Sequence, residues 1–441
     1  LFSQTARGER RRWRSAGAIA HRTHGTYGTH GMDDERCVGK GLPLSQQMDA
    51  RQVAAAASER QRMNSKERVR AAIARQPVDL APLGLYAVDC DTASRVLGRP
   101  TFIRNKVEIQ IALWEGRRDE LAEGLKKDTV ELYQKLDCVD LILPKEGQRL
   151  PPRDYEPERP KKIAEDTWQD KQGRIWQAAR SSNDITIVSE PPVERKPCME
   201  DFEKPLDVTP PDPSEFEVID YVLERLGKDR YIPTWTGGTT VMTFLGGMEE
   251  GMVAYALEPE MVMAATRRQC DWQNKMDEYC IRPGAAGGWI EQDFAGTNGP
   301  LVSPATFRQM CLPFFKERVE HIKRFMPQVL FHACGNTIPI MDQIIEAGID
   351  CYQSLQTTAG MELGKLMRMF GDRLCFWGGV PVETLIAGAP EETRKAVRAA
   401  LEVGGRGGGF ILGPSHSVAF GTKYDNFMAM LDEFVKLRGK F

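Results

Sequence analysis

Residues 328–355, QVLFHACGNTIPIMDQIIEAGIDCYQSL, hold one complete unit of the architecture. An apolar run, QVLFHAC (328–334), leads into a segment that places Ile338, Met341, Ile344 and Ile345 on one helical face. Gly348 follows as a C-terminal stop, and a second apolar run, DCYQSL (350–355), begins directly after it. Strand, helix and strand in this order imply parallel neighbours joined by a crossover helix. Six further runs read as strands: LAPLGLY (80–86), VDLIL (139–143), YIPTWT (231–236), GWIEQD (288–293), RLCFWGG (373–379) and GGFILGP (408–414). Eight such units predict an α/β fold, a single (β/α)8 TIM barrel rather than an open sheet.

Helix signals fall between these runs. SKERVRAAIARQP offers Ser65 as a cap, Glu67 in the first turn and Pro77 as a stop. PEETRKAVRAALEVGG opens on Pro390 with two acids and closes on Gly404 and Gly405. SPATFRQMCLPFFKERVEHIKRFM starts from the cap Ser303 and Pro304, and a kink is expected near Pro313. The stretch from about 147 to 225 breaks the pattern with many prolines and with EDTWQDKQGRIWQAA, where Lys171–Gln172–Gly173 reads as a hairpin turn. It is expected to be an inserted β-hairpin element between the second and third strands, covering one mouth of the barrel.

Residues 63–441 are assigned to the barrel, and residues 1–62 are expected to be a disordered tail, being rich in Arg, Gly, Ser and Thr without apolar periodicity. An Arg-rich, acid-poor leader has the composition of a transit peptide. A tail, or translated sequence ahead of a start at Met63, is the other reading. A formal net charge of −3 gives no electrostatic reason to expect nucleic acid or an anionic membrane as partner. There is no apolar run long enough to span a bilayer. Ten scattered cysteines lack the spacing of a disulfide framework, so a reduced, cytoplasmic protein is expected.

Chemistry in such a barrel belongs at the C-terminal ends of the strands. His332 and Cys334 are i and i+2 at the end of one strand and should share a face, and His416 follows the last strand in LGPSHS. Imidazole and thiolate are preferred zinc ligands, and three of them leave a position open for substrate; the competing reading makes His332 and Cys334 core residues. Glu291 and Asp293 alternate onto one face and can serve as acid, base or extra ligand, or as ordinary helix caps. Gln353 and Gln356 are candidates for hydrogen-bonding a substrate. Gly378–Gly379 and Gly237–Gly238 permit close backbone approach to a ligand, though tight turns explain them equally. Trp235 and Trp377 either line the pocket or pack.

With these residues in place, the chain resembles the uroporphyrinogen decarboxylase superfamily over about residues 63–438. The matching stretches are SKERVRAAIARQPVDLAP, EQDFAGTNGPLVSPATFRQMCLPFFK, HACGN followed by IIEAGID, FGDRLCFWGGVPVETLIAGAPEETRKAV, and GGGFILGPSHS with YDN after it. The resemblance implies a (β/α)8 barrel. The superfamily's metal-free decarboxylases carry an arginine-rich segment near the first strand and an aspartate segment after the second. Here those regions read GLYAVDCDTASRVLGR and VDLILPKEG, so neither signature is present, although His416 matches a decarboxylase histidine. The zinc-dependent methyltransferases carry H-x-C at one strand end and a cysteine after the last. His332 and Cys334 match the first part, and the third position falls on His416.

The resemblance therefore implies a methyltransferase holding Zn2+ with His332, Cys334 and His416. It would move a methyl group between a small O-, N- or S-methyl compound and a corrinoid (cobalamin) on a separate partner protein, with a homodimer as a candidate assembly. Histidine in place of a thiolate makes the metal a stronger Lewis acid and favours polarising an ether or amine. Asp293, Glu291 and His416 are the catalytic candidates, and Gln356, Trp235 and Gly379 the substrate-binding ones. The alternatives are decarboxylation of a porphyrinogen, for which Arg282 or Arg324 would have to bind carboxylates, and a non-catalytic binding barrel.

Overall fold

Each of the eight expected strands forms, and each is shorter than the apolar run that announced it. The structure, a computed structural model, describes residues 62–191, 195 and 197–441. The tail assigned to residues 1–62 lies outside these residues but for Arg62. The parallel strands are β1 (Gly84–Leu85), β2 (Leu141–Ile142), β3 (Pro233–Trp235), β4 (Gly287–Glu291), β5 (Val329–His332), β6 (Cys351–Gln353), β7 (Cys375–Val380) and β8 (Phe410–Pro414). β3 to β8 form one sheet in the order β8-β7-β6-β5-β4-β3, and β1 pairs with β2. Isolated parallel bridges join the two sheets at both edges, Leu83 to Leu412 and Leu141 to Tyr231.

Strand alternation sorts the core into two clusters. Register sets Leu330 beside Trp289 and Cys351, and Cys351 beside Cys375. These four pack with Leu141, Trp377 and Ile411 on an inner face. The alternate residues, Ile290, Phe331, Tyr352, Phe376 and Phe410, join helix residues such as Ile322, Ile344 and Leu401. Val69, Ala72 and Ile73 of the helix Ser65–Ile73 belong to the inner cluster as well. That helix lies against the chain entering the strands: Gly409 N donates to Ala72 O at 2.8 Å, Gln328 Nε2 to Arg70 O at 3.0 Å, and Lys66 N to Asp229 O at 2.8 Å. This helix thus covers the N-terminal ends of the strands.

One local reading needs correction and a second is sharpened. The cap of the first helix is Asn64, which accepts from Glu67 N at 2.9 Å while Glu67 returns a bond to Asn64 N at 3.0 Å. Ser65 turns inward instead and donates to Asp140 Oδ1 at 2.6 Å. The expected kink comes before Pro313, as a π turn at Phe307–Cys311 between Pro304–Thr306 and Leu312–Ile322. Pro313 has no N–H to offer the preceding turn, and the wider turn absorbs the missing bond.

Between β2 and β3 stands a four-stranded antiparallel sheet, Lys161–Ala164, Thr167–Gln169, Ile175–Ala179 and Asp184–Ser189. The turn at Asp170–Arg174 carries Gly173 at φ 82°. The outer strand KKIA is exposed throughout and carries no apolar alternation, whereas DITIVS alternates Ile185 and Ile187 with polar residues and was passed over in the sequence reading, which took only the inner pair. The sheet packs Trp168, Ala178 and Ile185 against Val107 and Trp114 of the helix Lys106–Glu115.

Asp140, only 1 % exposed, joins the two ends of the described chain. Besides Ser65 it accepts from Arg68 Nη1 at 2.6 Å, Leu83 N at 2.9 Å and Arg438 Nη2 at 2.7 Å. Asp140→Ala strips Arg438 of this buried carboxylate and Arg68 of one of its two, and should lower the unfolding free energy by about 3–5 kcal/mol in urea denaturation. A loss below ~1 kcal/mol would show that the ends are held by something else.

Candidate metal centre

β5 ends at His332, and the geometry beyond it is made by cross-loop bonds. In register, His332 stands beside Glu291 of β4 and Gln353 of β6 on the inner face. Cys334 lies past the strand, so alternation alone does not aim it. Asp293 Oδ1 accepts from Cys334 N at 2.7 Å, and Gln356 Oε1 accepts from Gly335 N at 3.0 Å. Gly335, at φ 82°, presses so close to Ala295 that a Cβ would lie 2.3 Å from its carbonyl oxygen. The turned loop returns Cys334 Sγ to 3.5 Å from His332 Nε2. His416, two residues past β8, brings its ring centroid to 5.4 Å from that of His332.

The donor atoms of His332, Cys334 and His416 all lie within 4.8 Å of one another. Tetrahedral zinc needs its donors roughly 3.3–3.8 Å apart, a distance that small side-chain rotations reach. His332 Nδ1 is bonded to Gln353 Oε1, which fixes the tautomer and leaves Nε2 as the free donor beside the thiol. The residues present fit a zinc ion.

An aromatic and ionic frame surrounds the three donors. The Tyr86 ring stacks on His332 at 4.6 Å and 4°, and meets His416 edge-on at 5.3 Å. Its hydroxyl donates to Glu291 Oε2 at 3.0 Å, as does Trp289 Nε1 at 3.0 Å. Lys145 Nζ bonds both Glu291 oxygens, at 3.1 and 3.2 Å, and the Tyr86 hydroxyl. Burial alone would raise the Glu291 pKa, but Lys145 and His332 hold it down to about 2, so it remains a carboxylate. Burial opposes the charged form of His332, yet the nearby Cys334, Glu291 and Asp293 raise it to about 9, so without a metal Nε2 carries a proton that a bound cation would have to displace before the ring could act as a ligand. His416 is lowered to about 3 by burial, and then by His332, Lys145 and Arg104, which leaves it neutral with a lone pair to offer.

The other expected site residues scatter in role. Glu291 and Asp293 take different partners: the first is ion-paired to Lys145, and the second, beyond the end of β4, holds the backbone of Cys334. Gln356 braces Gly335 and donates to Thr358 Oγ1 at 3.2 Å. Trp235 stands beside Trp289 in register, and its buried indole N–H has no partner among the described residues. Trp377 is fully buried and donates to Gly84 O at 3.0 Å, a packing role. Gly379 faces the helices: a Cβ there would meet Ala400 at 3.0 Å and Leu363 at 3.2 Å. Gly237 abuts Gln273, whose carbonyl oxygen would be 2.1 Å from an added Cβ. Arg282 precedes β4 and pairs with Asp220 at 2.7 Å, and Arg324 precedes β5, so both stand before their strands rather than at the C-terminal ends.

Tyr86 and Lys145 were passed over in the sequence reading, and the structure brings them against His332, His416 and Glu291. Tyr86 is the last residue of its apolar run, a strand-end position of the kind that singled out His332. A lysine three residues past β2 carries no such signal until Glu291 is known to face it.

Gly335→Ala should destabilise the fold by about 1–3 kcal/mol from its backbone conformation alone, before the clash with Ala295 is counted. Cys334→Ala should be nearly neutral in the metal-free protein. Chemical denaturation of both compares them, and equal midpoints would show that the Gly335 turn is not under constraint.

Residues 182–437, more than half of the chain, match the profile of the family described as uroporphyrinogen decarboxylase (URO-D). A methylated-thiol–coenzyme M methyltransferase of Methanosarcina mazei is 26% identical over 239 residues, 52% of this chain and 61% of that protein. The chain thus spans less than two thirds of the length of this curated relative. A solved structure, a methyltransferase from Methanosarcina mazei, superposes with a TM-score of 0.57 at 18% identity, covering 85% of this chain and 99% of the other.

Proposed function

The chain belongs to the uroporphyrinogen decarboxylase (URO-D) family, and on that premise we propose that it is a zinc-dependent methyltransferase of the family. It moves a methyl group between a small O-, N- or S-methyl compound and a corrinoid carried by a separate protein. The observation that carries the reading is the His332, Cys334 and His416 cluster, three zinc-type donors gathered at the C-terminal strand ends. The methyltransferase relatives add support from outside the site. We further infer that the eight strands close into a (β/α)8 barrel, because the parallel bridges at both edges lie where the seams of such a ring would be.

Zinc bound by these residues would supply Lewis acidity toward the heteroatom that gains or loses the methyl group. The chain's own part is orientation. Gln353 holds His332 Nδ1, Asp293 fixes the backbone of Cys334, and Tyr86 keeps both imidazole rings in place. Glu291, pinned by Lys145, keeps a negative charge beside the metal position and is a poor proton donor. Decarboxylation of a polycarboxylate needs several free cations at the mouth. Here Lys145 is paired with Glu291, and Arg104 with Asp89 and Glu146, both at 2.9 Å. Among the described residues nine cysteines are free, which fits a reducing compartment such as the cytoplasm, and no helix is long and apolar enough to cross a membrane.

Elemental analysis of the purified protein tests the reading. About one zinc per chain is expected, lost in Cys334→Ala and in His416→Ala. A metal-replete preparation without zinc would overturn the methyltransferase assignment. Removing zinc with a chelator should abolish methyl transfer to a corrinoid acceptor, and restoring it should recover the rate.

A further inference from the structure

Residue 354 breaks the alternation of β6. Tyr352 packs among the helices and Gln353 points inward at His332, so a continuing strand would turn residue 354 outward and residue 355 inward. Leu355 instead belongs to the helix-side cluster, where it packs beneath Gly378. The phase shift occurs at Ser354, whose φ of 90° is in the left-handed region that favours glycine. Glycine is common in this chain, and Gly335, Gly378 and Gly379 take positive φ at neighbouring strand ends. A serine at such an angle carries strain that a glycine would not. What the strain achieves is visible in the side chain: Ser354 is 1 % exposed, and its Oγ lies 3.4 Å from Cys334 Sγ.

We propose that Ser354 is a positioning residue for the metal-binding thiolate, its hydroxyl donating a hydrogen bond to Cys334 Sγ. A thiolate has no proton to give, so in the metal-bound state the serine must be the donor. Gln353 and Ser354, consecutive in sequence, then hold the two ligands of the H-x-C pair, one through the imidazole Nδ1 and the other through the sulfur. The left-handed backbone at 354 is what lets two successive side chains reach the same face. A hydrogen bond to a ligand sulfur withdraws electron density from it, so the serine sets how strongly the thiolate donates to the metal. The proposal rests on the zinc reading of the site.

Cobalt(II), which replaces zinc and reports its ligands optically, is the probe. The wild-type protein, Ser354→Ala and Ser354→Gly are loaded with Co2+, and zinc affinity is measured by competition with a chromophoric chelator. Both variants should still bind metal, with the sulfur-to-cobalt charge-transfer band moved to lower energy and zinc affinity reduced about 10–100-fold. In the metal-free state Ser354→Gly should melt above Ser354→Ala, because the two lose the same hydroxyl and only glycine relieves the backbone. A purely structural serine would give a cobalt spectrum unchanged in both variants, and that result overturns the proposal. A wild-type protein that binds neither cobalt nor zinc overturns the metal-centre reading beneath it, so the two failures are distinguishable.

Discussion

Parallel register at the last residues of β4, β5 and β6 is the constraint on which the site depends. In-register pairing places Glu291, His332 and Gln353 side by side on one face, at the level where the strands end. The identity of the neighbours of His332 is therefore decided by backbone hydrogen bonds, not by any loop. The chain then leaves each strand for a helix, and three short exits stand close enough to bond one another. Asp293 takes the amide of Cys334 and Gln356 that of Gly335. A thiol lying outside the strand is held through the backbone of its own loop, and can be aimed without being part of the sheet.

The two ends of the strands are built differently. At the N-terminal end one buried carboxylate is saturated: Asp140 gathers two arginines, a serine and an amide, with Arg438 Nε left unpartnered among the described residues, while the first helix covers the strand entrances. At the C-terminal end, Gln353 Nε2 and Trp235 Nε1 are buried with no partner among the described residues, and Ser354 is strained. Unsatisfied and strained groups cost stability, and they are tolerated where the surrounding structure over-determines them. His321 marks the divide. It bonds Asp277 at 2.8 Å, and Asp277 pairs with the fully buried Arg318. Arg318 donates to Gly238 O at 2.8 Å, while Asp277 accepts from Gly237 N at 2.7 Å, so this network braces the loop after β3. The third histidine of the described residues thus serves support, while the other two stand at the candidate metal centre.

Much of this was legible in the sequence because its physics is local. Eight apolar runs separated by helical periodicity are the signature of parallel strands, since each strand must be buried on both faces and each crossover needs an amphipathic helix. The pairing of His332 with Cys334, and the placement of His416 after the last run, follow from position along the chain. The antiparallel sheet between β2 and β3 was half legible, because Gly173 announces a turn while solvent-facing strands such as KKIA announce nothing.

The remainder depended on distance in space between residues far apart in the chain. Nothing near Lys145 names Glu291 as its partner, and nothing near Asp140 names Arg438. The face to which Cys334, Asp293 and Ser354 turn was decided where the strands stop, and strands stop when lateral hydrogen bonds run out, which is a property of neighbours. The sequence by itself determined the repeating order of elements and the types of ligand available. Only the tertiary structure decided which side chains share a point, because that is settled by inter-strand register and by bonds between separate loops, neither of which has a local signature.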